Sequence, residues 1–372
     1  MREVLGEPHR SSAVRVRAPE PGGRIGQPAC HHRGMDSERL RAELQRAGEP
    51  GYRVDQVWRW AAAGAPSYAA MTNLPSRLRE LLEERVPFSS LVVANEVHAR
   101  DGTVKTLMHT ADDRPLEAVL MRYGDGRRSL CLSSQSGCPL TCRFCATGQM
   151  RFGRNLSSSE ILDQALHFRR QGAVDHAVFM GMGEPLMNLD AVLEACALLP
   201  SLGISQRHTA ISTVGWLPGI ERLTAYPAPL RLALSLHAAD DDLRSTLMPV
   251  NDRYALGDVL EACRRWYEAK HRRVFVEYVM LAGINDRYEQ AIALARRLDP
   301  RIFKVNLIPF NPTDSEYRGS SREAIAAFRS ALEAAGIAVT VRLTRGREIA
   351  AACGQLAVAA DGAAAPAAPA RM

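Results

Sequence analysis

Ser129-Leu130-Cys131-Leu132-Ser133-Ser134-Gln135-Ser136-Gly137-Cys138-Pro139-Leu140-Thr141-Cys142-Arg143-Phe144-Cys145 begins as a strand, Ser129–Ser133, and ends as a loop carrying three cysteines spaced CxxxCxxC. Three thiolates in one loop leave a coordination vacancy, which suits an iron–sulfur cluster held by three of its four irons, the fourth staying open for a substrate. Structural zinc normally takes four closed ligands, often from two separated CxxC pairs, so it fits the spacing less well. The triad alone leaves both metals open.

Downstream of this loop, strand-like and helix-like runs alternate. Strands are expected at Ala177–Met180, Thr209–Thr213, Leu230–Leu236, Val274–Met280, Phe303–Ile308 and Val339–Leu343, and helices at Ser158–Arg170 and Leu189–Leu199 and near 255–268, 286–298 and 322–335. Ser157 with Glu160 three residues on predicts a capping box for the first helix. Repeated βα units of this number predict an α/β fold with a parallel sheet, a partial TIM-like (β/α)6 barrel rather than a flat doubly wound sheet. In such barrels the active site gathers where strands end. The polar motifs fall at those ends: the cysteine loop, Gly181-Met182-Gly183-Glu184-Pro185, Ser212-Thr213-Val214-Gly215, Ser235-Leu236-His237, and Asn311-Pro312 beyond the strand holding Asn306.

The 372 residues, 46% of them hydrophobic, suffice for a barrel and a smaller domain. No run approaches the ~18 consecutive apolar residues of a membrane span. Eight cysteines, three clustered and none in a regular framework, read as thiols used for chemistry in a reducing cytoplasm. Of the net charge of +6, residues 1–34 supply half, with six arginines against three glutamates, so the charge argues only weakly for nucleic acid. Residues 1–34, rich in Pro, Gly and Arg, read as a disordered leader, with Cys30 an exposed thiol and Met35 a candidate start. A small helical domain is expected over 35–90, where Val54, Val57 and Trp58, then Leu78, Leu81 and Leu82, keep helical spacing. A β-rich connection follows over 91–128, the barrel with a C-terminal cysteine segment over 129–356, and an Ala-rich disordered tail over 357–372. Cys196 and Cys263 fall in expected helices as core residues.

Several runs together are narrower than the triad: Cys131–Cys138, Phe179–Pro185, Ser235-Leu236-His237-Ala238, Val305–Pro312 and Ala352-Cys353-Gly354-Gln355-Leu356. Over roughly residues 40–356 the chain resembles the RlmN/Cfr family of radical S-adenosylmethionine (SAM) adenosine methyltransferases. The resemblance implies a [4Fe–4S] cluster on Cys138, Cys142 and Cys145, with two SAM per turnover. It also implies a reason for the extra cysteines. The adenine carbon between two ring nitrogens is electron-poor and cannot take a methyl as a nucleophile. In the family the counterpart of Cys353 is methylated by one SAM, a 5′-deoxyadenosyl radical from a second removes a hydrogen from that methyl, and the carbon radical adds to adenine. The counterpart of Cys131 then attacks the Cys353 sulfur, releasing product and leaving a disulfide.

By residue type alone, Cys131 in a strand and Cys353 in an Ala-rich stretch are small buried hydrophobes, Gly183-Glu184 is a tight turn, and polar strand ends satisfy backbone groups. The resemblance instead places the SAM amine on Glu184 beside Gly183, with Ser212, Ser235, Leu236, His237 and Asn311 as further SAM contacts. Glu117, fourteen residues before Cys131, matches the family's acid/base glutamate with one extra residue in the intervening turn; otherwise it is a solvated strand carboxylate. Implied partners are 23S rRNA, tRNA and a low-potential electron donor such as flavodoxin, with no membrane. Pro185 favours the branch that methylates carbon 2; the nearest rival methylates carbon 8. A reading of another class is a non-catalytic RNA-binding module with structural zinc. Arg143, Arg151 and Arg154 near the cysteine loop, and the run Arg264, Arg265, Lys270, Arg272 and Arg273, suit phosphate or a solvated face.

Overall fold

The computed structural model describes residues 37–357; the expected leader with Cys30 and Met35, and the tail beyond residue 357, lie outside them. Three helices come first: α1 (Ser37–Arg46), α2 (Tyr52–Ala63) and α3 (Ser76–Arg85). In α2, Val54, Val57, Trp58 and Ala61 recur at helical spacing and are buried, so a single apolar stripe docks the helix. Strands β1 (Leu91–His98), β2 (Val104–Thr110) and β3 (Pro115–Arg122) then form an antiparallel meander.

The 129–145 stretch opens on β4 (Arg128–Cys131), antiparallel to β3 and parallel to the strand that follows it in the sheet. A short ladder pairs β5 (Gln135–Ser136) with β6 (Arg154–Asn155), enclosing the one-turn helix α4 (Ala146–Gln149). Next come α5 (Ser158–Arg170), β7 (His176–Phe179), α6 (Leu189–Leu198), β8 (Thr209–Thr213), α7 (Leu217–Ala225) and β9 (Arg231–Ser235). The chain continues through α8 (Asp241–Leu247), α9 (Leu256–Lys270), β10 (Val274–Met280), α10 (Tyr288–Arg297), β11 (Phe303–Pro309), α11 (Arg322–Ala334) and β12 (Ala338–Val341).

The sheet order is β1-β2-β3-β4-β7-β8-β9-β10-β11-β12, with every pair from β4 onward parallel. Sequence order and sheet order never reverse. A doubly wound sheet needs such a reversal; right-handed crossovers without one lay every helix on the same face and curl the sheet. Seven parallel strands with six helical crossovers make the expected open barrel, which the antiparallel meander extends at the β4 edge.

The α5 capping box is present: Glu160 N donates to Ser157 Oγ (3.2 Å) and Ser157 N to Glu160 Oε2 (2.8 Å). Helices α7 and α8 were not anticipated. Pro218 and Gly219 in α7 read as breakers, yet Pro218 sits in the first turn, where its missing N–H costs nothing. Helix α8 is short and is fixed by Asp240, whose Oδ1 accepts from Leu243 N (2.8 Å). Among the described residues one helical run, Pro185–Leu202, has the length and mean hydropathy (1.2) of a membrane span; half of it is buried, with Val192, Ala195, Cys196 and Leu199 in the barrel core. Cys263 on α9 is likewise fully buried.

Candidate active site

The cysteine loop leaves β4 at the end of the barrel where the strands finish. Its backbone is knotted locally, with Cys145 N donating to Cys142 O (3.2 Å) and Arg143 N to Leu247 O (3.0 Å). Cys138, Cys142 and Cys145 line one cavity, about 960 Å³ with its solvent-open mouth, together with Gly183, Glu184, Ser212, Ser235, His237 and Cys353. Burial, then the neighbouring thiols, pushes Cys142 well above 9, and burial first pushes Cys138 up to about 12 and raises Cys145. A metal charge inverts that balance by ionising the thiols that hold it.

Glu184 faces the triad from the turn after β7. Burial holds its carboxyl up at about 7, although Oε1 accepts from Leu186 N (3.0 Å) and Oε2 from Val214 N (2.9 Å). Glu184 N in turn donates to Gln135 Oε1 (2.8 Å). Gly183 before it has φ +98°, and a Cβ there would lie 2.5 Å from Gln135 Cβ, so the turn can approach the cysteine strand only without a side chain. On the next strands Ser212 Oγ and Ser235 Oγ lie 3.3 Å apart.

His237, two residues past β9, takes a left-handed conformation, φ +61°, which a non-glycine residue keeps only when its surroundings impose it. They do: Nδ1 accepts from Val279 N (3.0 Å), His237 O accepts from Asn285 Nδ2 (2.9 Å), and the Phe144 ring stands edge-on at 4.7 Å. Burial, with the Arg244 charge second, drops His237 to about 3, so the ring is neutral. Leu236 is fully buried in the core and gives no surface to the cavity.

A second cavity, about 610 Å³, adjoins the first and is lined by Cys131, Asn311, Met180, Arg342 and Cys353. Cys353 and Arg342 belong to both. Burial first, and the Cys353 sulfur second, push the Cys131 thiol up to about 12. The C-terminal segment carrying Cys353 is tied on several sides: Ala146 N donates to Gly354 O (2.8 Å), Thr147 Oγ1 to Leu356 O (2.5 Å), Asn311 Nδ2 to Cys353 O (3.1 Å) and Gln355 Nε2 to Pro312 O (2.8 Å). Asn311 Oδ1 is buried without a partner, a polar atom left over for something the chain does not supply.

Glu117 lines neither cavity. It is fully buried, paired with Lys105 Nζ (2.9 Å), and its Oε2 accepts from Ala357 N (3.1 Å). Burial raises its carboxyl, with Lys105 opposing. Sequence reasoning missed Arg342 and Glu277. The Arg342 guanidinium lies 3.8 Å from Cys353 Sγ and 3.4 Å from Glu277 Oε2, and Asn306 Nδ2 donates to Glu277 Oε1 (2.8 Å). The signal was Glu277 itself, the one charge in the apolar run Val274–Met280. Of the basic residues weighed for phosphate, Arg154 is committed to Asp112 and Glu160; Arg264 pairs with Glu261 (3.1 Å), and Arg272 donates to Pro229 O (2.9 Å).

Among the described residues no three His, Cys, Asp or Glu side chains converge on a point that would hold one ion. With an open parallel barrel and a strand-end glutamate opposite the triad, these features define a radical SAM enzyme, and the radical SAM superfamily model matches residues 132–295. Such enzymes work with a [4Fe–4S] cluster and SAM. The model of the ribosomal RNA large subunit methyltransferase N-terminal domain matches residues 33–87. A probable dual-specificity RNA methyltransferase RlmN from Frankia alni is 44% identical, over 95% of this chain and 87% of its own length. Another from Moorella thermoacetica is also 44% identical, over 87% of this chain and 96% of its own. The crystal structure of a radical SAM methyltransferase from Sphaerobacter thermophilus superposes with a TM-score of 0.82 at 42% identity, covering 86% of this chain and 97% of that one. The chain belongs to the RlmN family of radical SAM methyltransferases.

Proposed function

We propose that this chain methylates RNA at carbon 2 of adenosine, in 23S rRNA and in tRNA, by way of two cysteines. The observation that carries the reading is Cys353, exposed and lining both the cavity of the cysteine triad and the cavity of Cys131. A residue so placed can take a methyl group on one side and surrender it on the other.

Cys138, Cys142 and Cys145 would hold the cluster, and Glu184, Ser212, Ser235 and His237, with Asn311 from the adjoining cavity, would hold SAM, Gly183 shaping its bed and Leu236 packed in the core behind it. When bound, these groups supply the methyl and a one-electron route to a carbon radical; a low-potential donor such as flavodoxin supplies the electron. Arg342, fixed by Glu277, sets a positive charge against the Cys353 sulfur, the environment a nucleophilic sulfur needs. His237, neutral, accepts a backbone N–H and keeps the end of β9 in place without adding charge. Once Cys353 is joined to the adenine ring through a methylene, and the adduct has given up one electron to the redox group that would be bound there and its carbon-2 hydrogen as a proton, the Cys131 thiolate attacks the Cys353 sulfur. The S–S bond forms as the carbon–sulfur bond breaks, and the electron pair leaves with the carbon, which takes a proton. Glu117, buried on β3 beside Lys105, is proposed as the acid/base group of that exchange.

The test is a Cys131→Ala enzyme supplied with RNA, SAM and reductant. It should accumulate a covalent protein–RNA adduct at Cys353 that survives denaturation, and Cys353→Ala should give none. Normal turnover by Cys131→Ala would end the two-cysteine reading. Mass spectrometry of the adenosine product distinguishes methyl on carbon 2 from carbon 8. About four irons per chain, against about one zinc, separates the enzyme from a zinc-holding RNA-binding module.

A further inference from the structure

A third and wider cavity, about 1270 Å³, opens beside the first two, between the segment joining β11 to α11 and the segment after β12. Its lining includes Arg322, Arg329, Arg342 and Arg347, and among the described residues that line it none is acidic. Arg329 pairs along its own helix with Glu333 (2.8 Å), and Arg342 is held by Glu277; Arg322 and Arg347 are exposed on the rim. The floor is apolar. Phe310 belongs to this cavity and to that of the cysteine triad; Leu343 belongs to it and to that of Cys131, and is 79% exposed.

A basic rim over an apolar floor is the chemistry of a single-stranded nucleic acid groove, in which cations follow the phosphates and flat or apolar side chains meet the bases. Continuity fixes which strand it takes. An adenine can reach Cys353 only by leaving its stack, so the nucleotides next to it are splayed as they pass the mouth of the site, and Arg342 and Phe310 join that mouth to the groove.

We propose that this groove receives the single-stranded RNA that continues from the target adenosine, with phosphates against Arg322, Arg329 and Arg347 and bases against Phe310 and Leu343. The proposal rests on the RNA methyltransferase reading and adds to it the path of the flanking strand.

The probe is an unmodified hairpin transcript with a loop adenosine, its binding to cluster-loaded enzyme followed by fluorescence anisotropy across a salt series. Arg322→Glu with Arg347→Glu should weaken binding by about tenfold or more, and each single change to Gln should lower the salt slope by about one. Both arginines are exposed, so the variants should keep the wild-type iron content and melting temperature. The matched reversal Arg264→Glu with Arg265→Glu, on α9, should change affinity little. Groove variants that bind and methylate like wild type overturn the proposal, as does an equal loss in the α9 variant. Variants that keep RNA affinity but lose reduction by flavodoxin give the groove to the electron donor and overturn it too. A wild-type enzyme that neither binds nor methylates the hairpin sinks the RNA reading itself.

Discussion

Burial moves Glu184 and His237 in opposite directions, and the pH dependence of stability follows from that opposition. Glu184 has a folded pKa of about 7 against 4.5, so its contribution is whole below about 4.5 and is lost as pH climbs through 7. His237 has about 3 against 6.5, so its contribution is whole above about 6.5 and is lost as pH falls toward 3. Between these limits the two slopes oppose each other in the metal-free protein. Glu184→Gln removes the falling one, so its melting temperature should climb more steeply than wild type between about pH 5 and 6.5; parallel curves would contradict the burial argument. Arg342 is the other residue to probe. A charge-assisted contact of this kind contributes about 1.5–3 kcal/mol, so Arg342→Met should slow methylation of Cys353 by about ten- to a hundredfold, with Arg342→Lys recovering part. Peptide mass mapping over time reads this out, and equal rates in all three proteins would remove Arg342 from the chemistry.

At the scale of elements, the turn after β7 is the least replaceable. Gly183→Ala forces a side chain into a left-handed turn and against Gln135, at a cost of about 1–3 kcal/mol, and it displaces the Gln135 amide that accepts from Glu184 N. We expect a lower melting temperature together with slower SAM cleavage; loss of stability with unchanged cleavage would make this turn merely structural. The elements were largely legible in sequence because apolar period and caps are local. β8 and β10, at Thr209–Thr213 and Val274–Met280, are found where the residue pattern put them, as is the Ser157–Glu160 box. What was not legible is convergence across elements. Glu117 on β3 meets Lys105 on β2 because an antiparallel register sets Leu107 opposite Glu117 and Lys105 opposite Val119, and Arg342 meets Glu277 across β11. No spacing along the chain encodes either encounter.

Over the whole molecule, the barrel stays open at its edges, and residues 352–357 reach back to the first loop of the barrel. Removing residues 352–372 should leave the βα units folded, since among the described residues no strand comes from that segment. It should strip hydrogen-bond partners from Ala146 and Thr147 beside the triad. The shortened enzyme should assemble its brown chromophore, lose it faster in air than the full chain, and carry no methyl on protein. A chromophore as durable as wild type would show that the segment does not shield the loop.

The same back-reach sets an order of birth. A ribosome adding about 5–20 residues each second needs roughly 10–40 s to travel from Cys145 to Cys353. For that interval the nascent chain owns its three-thiol loop but lacks both the sulfur that would carry a carbon and the carbonyls, Gly354 O and Leu356 O, that close the loop's exposed donors. Residues translated after the whole barrel are therefore the ones that make the site safe to use, and a message cut short before Cys353 yields a chain able to gather iron with nothing to spend it on.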